Sequence, residues 1–60
     1  MGFFTNDNYI VEADIHGLGS FNEVGSIIHE NRAILLADEY AKKGKRARVK
    51  KGRSVIYVAS

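Results

Sequence analysis

The side chains with the widest chemical scope are Glu12, Asp14 and His16, which occupy alternate positions of one short segment. Because side chains alternate between the two faces of a β-strand, all three would share one face. Two carboxylates and an imidazole can hold a divalent cation that activates water, as in nucleases. The same spacing is typical of any strand with one polar side, and this is the interpretation we favour. We therefore expect no metal site, no cofactor and no enzyme.

The segment Gly17-Leu18-Gly19 follows directly and could bind an anion. Backbone amides of a glycine-containing turn at the start of a helix attract phosphate groups. The next glycine, Gly25, comes too late for the dinucleotide-binding pattern of three spaced glycines, and no P-loop lysine follows. We interpret this segment as a tight turn between a strand and a helix.

The strongest functional candidate is a run of basic residues near the end of the sequence. Residues 1–39 hold all seven Asp and Glu residues and one Arg, whereas residues 40–60 hold eight Lys and Arg residues and no acid. A charged partner would therefore meet one end of this molecule. The predicted partner- or nucleic-acid-binding residues are Lys45, Arg46, Arg48, Lys50, Lys51, Arg53 and Tyr57.

Three interpretations of this basic run are open. It could dock on an acidic protein surface. It could bind the phosphates of DNA or RNA, with Tyr57 or Tyr40 available for stacking, although no recognised nucleic-acid-binding motif is present. It could also be neutralised by Glu12 and Asp14 within a dimer, or only protect the edge of a sheet.

A small number of secondary-structure elements must position these candidates. Residues 8–16 alternate apolar and polar side chains and predict a half-buried strand. From Ser20 to about Lys43 the pattern is helical, with a capping box at Ser20 and with Gly44 just after the end of the helix. Asn31 and Asp38 interrupt the apolar stripe of this helix. Either the helix breaks near Asn31, or both residues mark a partner surface, or the stripe is simply imperfect.

The C-terminal segment predicts a β-hairpin, with strands at residues 46–50 and 54–59 around a turn at Lys51-Gly52. The predicted fold is α+β, in the order β-α-β-β, with one helix packed on one face of a three-stranded antiparallel sheet. Placing the most apolar strand, residues 54–59, in the centre gives the strand order 1-3-2. The other face would stay uncovered, and the predicted self-association residues are Ile10, Asn31, Asp38, Ile56 and Val58.

Length and composition narrow the class of protein. Sixty residues form one domain, 1–60, and so small a core would gain stability from dimerisation. The sequence has no Cys and therefore no disulfide, which suits a reducing cytoplasm. No apolar stretch has the roughly 18 residues that a transmembrane helix needs. We expect a cytoplasmic homodimer that does not enter a membrane.

The last third of the sequence resembles a group of known proteins. The segment Ala37-Asp-Glu-Tyr-Ala-Lys-Lys-Gly44, followed by Arg46-Ala-Arg-Val-Lys-Lys-Gly-Arg-Ser-Val-Ile-Tyr57, is similar to the ending of many small phage and prophage orphan proteins. In those proteins a helix that closes on Tyr-Ala-x-x-Gly continues into a basic β-hairpin. The resemblance implies an accessory protein of a virus or mobile element that binds and inhibits a host protein or nucleoprotein machine without catalysis. DNA or RNA binding through the basic hairpin, residues 42–53, is the alternative function.

Overall fold

The computed structural model of this protein describes residues 8–59, which form β1 (Tyr9–Ala13), β2 (Asn22–Ile27), α1 (Glu30–Lys42), β3 (Ala47–Lys51) and β4 (Ser54–Ala59). The strands form one antiparallel sheet in the order β2-β1-β3-β4, and α1 packs across one face of it. The predicted α+β class is confirmed, but the predicted three-stranded sheet is wrong because the described residues contain a fourth strand. Among residues 8–59, no helix combines the length and the apolar character that crossing a membrane requires.

The additional strand, β2, lies where the sequence analysis predicted the first half of a helix. Asn22, Gly25 and Ser26 have low helix propensity, so pairing with β1 decides the conformation of this segment. A helical capping box cannot form at Ser20, because the residues after it enter a strand. The helix begins at Glu30 instead. Asn31, which interrupts the apolar stripe in the sequence, therefore lies in the first turn of the helix.

Strand β2 also changes the direction of every later element. Because the β1–β2 hairpin reverses the chain before α1 begins, β3 runs antiparallel to β1 and pairs directly with it. The predicted order 1-3-2 is therefore wrong. The basic strand β3 is central, and the apolar strand β4, which was expected in the centre, lies at an edge.

Side-chain size explains why β3 lies under the helix. The helix contributes Ala33 and Ala37 to the core, and small side chains let it approach the two central strands closely. A larger side chain, such as that of Tyr57 on β4, packs around this centre. The fully buried residues of the central strands are also small: Val11, Ala13, Ala47 and Val49.

Strand β2 approaches the helix through a glycine. A Cβ atom added to Gly25 would lie 2.7 Å from Cδ2 of Leu36, well inside the optimal separation of about 3.5–4.0 Å between carbon atoms. Gly25 therefore lets Leu36 rest on the backbone of β2. The β1–β2 ladder has a bulge here, because Val11 pairs with Gly25 while Glu12 pairs with Glu23.

The end of the helix forms as predicted, and the predicted hairpin forms with its turn one residue later, since Lys51 belongs to β3 and pairs with Ser54. Gly44 has a φ of 84°, and its amide donates to the carbonyl of Ala41 at 3.0 Å. The amide of Lys45 donates to the carbonyl of Tyr40 at 3.0 Å, which completes a Schellman motif. The hairpin loop between β3 and β4 begins with Gly52, whose φ of 62° suits a two-residue turn.

Helix α1 leaves the second face of the sheet uncovered. Val11 and Val49 point towards the helix, so the residues on either side of them in β1 and β3 point away. A bulge at Ile56 in β4 keeps Val55 opposite Lys50 while Val58 pairs with Arg48. We call this second side of the sheet the open face; its residues in β1, β3 and β4 are Ile10, Glu12, Arg48, Lys50, Val55 and Val58. In β2, Ser26 and Glu23 lie opposite Ile10 and Glu12.

Candidate binding surface on the open face

Arg48 is the most firmly positioned charged side chain of the open face. It lies directly opposite Glu12 in the β1–β3 ladder, and its Nε donates a hydrogen bond of 2.7 Å to Oε1 of Glu12. Its guanidinium carbon lies 4.0 Å from the centre of the Phe21 ring, within cation–π range. The ion pair and the ring together hold the guanidinium group over the sheet. Since arginine has five N–H donors, the bond to Glu12 leaves further donors for a ligand.

A groove of about 570 Å³ lies beside Arg48. Its lining residues include Arg46 and Arg48 together with Val55 and Val58. Within residues 8–59, Arg46 has no ion-pair partner. The groove therefore presents positive charge directly beside apolar surface. We call it the open-face groove; its lining residues are Phe21, Arg46, Ala47, Arg48, Val55, Val58 and Ala59.

The open face gathers part of the predicted basic site. Arg48 and Lys50 project from it at alternate positions of β3, and Arg46 lies just before the strand at the groove. The register places Arg48 and Lys50 on one face, whereas Arg46 precedes β3 and also lies beside the β1–β2 turn. One interpretation was that Glu12 and Asp14 neutralise the arginines within a dimer. In the structure Glu12 pairs with Arg48 of the same chain.

The other predicted basic residues lie elsewhere. Lys51 is on the helix side of β3, where its Nζ lies 4.3 Å from the centre of the Tyr9 ring. Arg53 is exposed in the hairpin loop. Lys45 lies at the opposite end of β3, beside the β1–β2 turn. The basic run of the sequence is therefore spread over both ends and both faces of the sheet.

Tyr57 and Asp38, predicted for two different surfaces, contact each other on the helix side of the sheet. The Tyr57 hydroxyl donates a hydrogen bond of 2.7 Å to Oδ1 of Asp38. This hydrogen bond, together with burial and the charge of Asp38, raises the pKa of the Tyr57 phenol above 10.0. Because the contact joins β4 to α1, it explains how a polar residue is accommodated within the apolar stripe of the helix.

Asp14 has a structural contact that accounts for its burial. Its Oδ1 accepts a hydrogen bond of 3.0 Å from the amide of Leu18, and its Oδ2 accepts one of 2.8 Å from the amide of Gly19. The glycine-containing turn therefore binds an anion, but the anion is the carboxylate of Asp14 itself. The turn leads into strand β2, so the expected connection from a strand to a helix is wrong.

The three residues that could have formed a metal site do not converge. Glu12 pairs with Arg48, Asp14 binds the turn, and His16 is exposed within that turn. Among the residues that the structure describes, no group of three or more His, Cys, Asp or Glu side chains could hold a metal ion. The favoured interpretation, one polar face of a solvent-exposed strand, holds only for Glu12, because β1 ends at Ala13, Asp14 is buried beyond it and His16 lies in the turn.

The predicted self-association residues fall into two groups. Ile10 is half-buried on the open face, and Ile56 and Val58 are exposed on β4. Asn31 is exposed in the first turn of α1, and Asp38 lies further along the same helix. The two groups belong to opposite sides of the sheet, so a single flat interface cannot use all five residues.

Four residues of the groove were not predicted as site residues: Phe21, Ala47, Val55 and Ala59. Phe21 was assigned to the apolar stripe of a helix, but it precedes β2 and contacts Arg48. Val55 was treated only as part of a central strand. The polar residues around Phe21 and the low helix propensity of residues 22–26 were the available signals for a strand at this position. No local signal indicated that Phe21 would meet Arg48.

Comparison of this chain with family models, with curated proteins and with solved structures gave no match. The function must therefore be argued from the open face itself.

Proposed function

We propose that this protein acts by binding, without catalysis, to a protein whose surface presents carboxylates beside apolar side chains. The observation that carries the proposal is the open-face groove, where Arg46 and Arg48 lie next to Val55 and Val58. The resemblance of the C-terminal segment to small phage and prophage proteins suggests the setting. The partner would be a protein or nucleoprotein machine of a host cell, bound in the cytoplasm and inhibited or modulated by occupation of its surface.

Charge and apolar area have different roles in such a contact. Burying the exposed valine side chains would supply affinity, at about 25 cal/mol per Å² of apolar surface removed from water. The guanidinium groups would select carboxylates and speed the encounter with an acidic surface. Arg48 is already oriented by Glu12 and Phe21, so less side-chain entropy is lost when it binds.

A charge-reversal experiment tests the proposal. The double variant Arg46→Glu/Lys50→Glu reverses two charges at the open face and leaves the Arg48–Glu12 pair intact. The double variant Arg32→Glu/Arg53→Glu makes the same change in net charge at exposed positions of α1 and the hairpin loop. Proteins captured from a bacterial lysate by the wild type are identified, purified and titrated against all three forms.

We expect the open-face variant to weaken binding about tenfold or more, which corresponds to ~1.4 kcal/mol, while the control variant binds like the wild type. Equal weakening by both variants would show a general charge effect and contradict a role for the open face. Recovery of no specific protein by the wild type would also count against the proposal.

Nucleic-acid binding is the alternative, and the dispersed positions of the basic residues give it less support. Phosphate contacts would make the affinity fall steeply with salt. Fluorescence anisotropy with labelled single-stranded DNA, double-stranded DNA and RNA at low salt measures whether the protein binds nucleic acid. Tight, salt-sensitive binding that both double variants weaken equally would favour this alternative over a protein partner.

A further inference from the structure

Strand β4 is an edge strand with an unusual composition. Within residues 8–59 it pairs with β3 on one side and has no strand on the other, and its six residues, Ser54–Ala59, include no Asp, Glu, Lys or Arg. Val55, Ile56 and Val58 are 45%, 42% and 67% exposed. Natural sheets usually protect their edges with charged side chains or proline, because an open edge is a template for pairing with another chain. A β-bulge is another such protective feature, and β4 has one, but it carries no charged residue and no proline.

The opposite edge of the sheet provides an internal comparison. Strand β2 presents Asn22, Glu23 and Ser26 as its exposed side chains. The exposed residues of β2 are therefore one charged and two polar, whereas those of β4 are Ser54 and three apolar residues. The two edges of this sheet differ in chemistry, and only β4 has the composition of a buried strand.

The fully buried core of one chain is made of small side chains. Within residues 8–59 the buried hydrophobic residues are five alanines and two valines, and the larger hydrophobic side chains packed against them, such as Leu36 and Tyr40, are only partly buried. A domain of this size gains little free energy from such a core, and association is one common way to gain more. A second copy paired along β4 would occupy the free edge and contact Ile56, which does not line the groove.

We infer that two copies of this chain pair antiparallel through β4 and form one continuous eight-stranded sheet. With the two-fold axis near Tyr57, Ile56 of one copy lies opposite Val58 of the partner subunit. The paired strands bring no like charges into contact. The two β3 strands, which carry Arg48 and Lys50, would be three strand spacings apart, about 14 Å. This distance exceeds the Debye length of ~8 Å at physiological salt, so their repulsion is largely screened.

The bulge in β4 fits this arrangement. It places Val55 and Val58 on the open face with Ile56 exposed between them, so the apolar side chains gather along one stretch of the edge. Since Val55 and Val58 also line the open-face groove, the dimer brings two grooves side by side across the axis. The inference concerns self-association alone and does not depend on the identity of any partner in the proposed function.

Sedimentation velocity across a range of concentrations tests the inference. The wild type should sediment at twice the 6.7 kDa mass of the chain. The double variant Ile56→Lys/Val58→Lys should be monomeric, because each lysine would face another across the axis. Asn22→Lys on the β2 edge is the control and should remain dimeric. A monomeric wild type, or a dimer that the β4 lysines do not disturb, overturns the inference.

Complementary charges provide a second test of the same contact. The variant Ile56→Glu/Val58→Glu should also be monomeric, and an equal mixture with the lysine variant should restore a dimer. If a variant fails to fold by circular dichroism, hydrogen exchange of the wild type decides instead. Dilution should speed exchange of the β4 amides and leave the β2 amides unchanged. Equal effects of dilution at both edges, or no effect at β4, contradict pairing through β4.

Discussion

At the scale of single residues, a few charged side chains have positions that are fixed by contacts within the chain. Arg48 is bound by Glu12 and covered by Phe21. Asp14 closes the turn after β1, through hydrogen bonds from two backbone amides. Arg46 differs from these residues because, within residues 8–59, it has no ion-pair partner. A substitution at a positioned residue should therefore change stability, whereas a substitution at Arg46 should change binding.

The Arg48–Glu12 pair should show measurable coupling. Its side chains are only 32% and 18% exposed, so water screens the ion pair less than at a fully exposed site. A double-mutant cycle with Arg48→Ala and Glu12→Ala should give a coupling free energy of about 1 kcal/mol by urea unfolding. The cycle Lys42→Ala with Glu39→Ala, on the exposed side of α1, should give a smaller value. A coupling near zero for Arg48 and Glu12 would contradict the contact.

The Tyr57–Asp38 hydrogen bond should make stability depend on alkaline pH. Its donor, the Tyr57 phenol, has a pKa raised above 10.0 in the folded protein, so folding favours the protonated phenol. This contribution is complete below the unfolded pKa and is lost as the pH rises through the folded pKa. Urea unfolding from about pH 8 to about pH 11 should show a steeper loss of stability in the wild type than in Tyr57→Phe. Parallel curves for the two proteins would contradict the prediction.

At the scale of secondary-structure elements, two contacts determine how helix and sheet fit together. Small residues, Ala33 and Ala37, bring α1 close to β1 and β3. Gly25 brings β2 under the same helix at Leu36. Both contacts require small residues, so larger side chains at these positions should move the helix away from the sheet.

Replacement of Gly25 should show this dependence directly. Gly25→Val should lower the free energy of unfolding by about 1–3 kcal/mol, because the new side chain overlaps Leu36. In a Leu36→Ala background the same replacement should cost much less, since the space is then available. Unfolding of the four proteins in urea gives the comparison. Additive effects would show that the strand does not meet the helix at this point.

At the scale of the whole molecule, the sheet has one covered face, one open face and two unlike edges. The open face carries the groove that we propose as the binding site, and the β4 edge carries the apolar residues that we assign to self-association. Because the groove borders β4, a dimer would present two binding sites on one surface. Binding to a partner with two matching sites would then be strengthened by avidity.

Dimerisation should also appear in thermal stability. Unfolding of a dimer releases two chains, so its midpoint rises with protein concentration, by about 5 °C for each tenfold increase in a dimer of this size. The variant Ile56→Lys/Val58→Lys should have a midpoint that does not change with concentration. Differential scanning calorimetry at several concentrations gives the result. A constant midpoint for the wild type would count against a dimer.

The sequence alone determined the features that depend on neighbouring residues. Alternation identified β1, and the pattern around Gly52 identified the β3–β4 hairpin. Gly44 identified the end of the helix, because a Schellman motif involves only a few consecutive residues. The α+β class followed from these elements together. In each case the interactions that stabilise the structure lie within a short window of the chain.

Only the tertiary structure decided between strand and helix at residues 22–27, because that choice depends on pairing with β1. The same pairing reversed the chain, moved β3 to the centre and left β4 at an edge. It also brought Arg48 to Glu12 across 36 positions of sequence. Hydrogen-bond ladders join segments that are distant in the chain, and their free energy can exceed a weak local preference. A sequence pattern reports that local preference but not the ladder that overrides it.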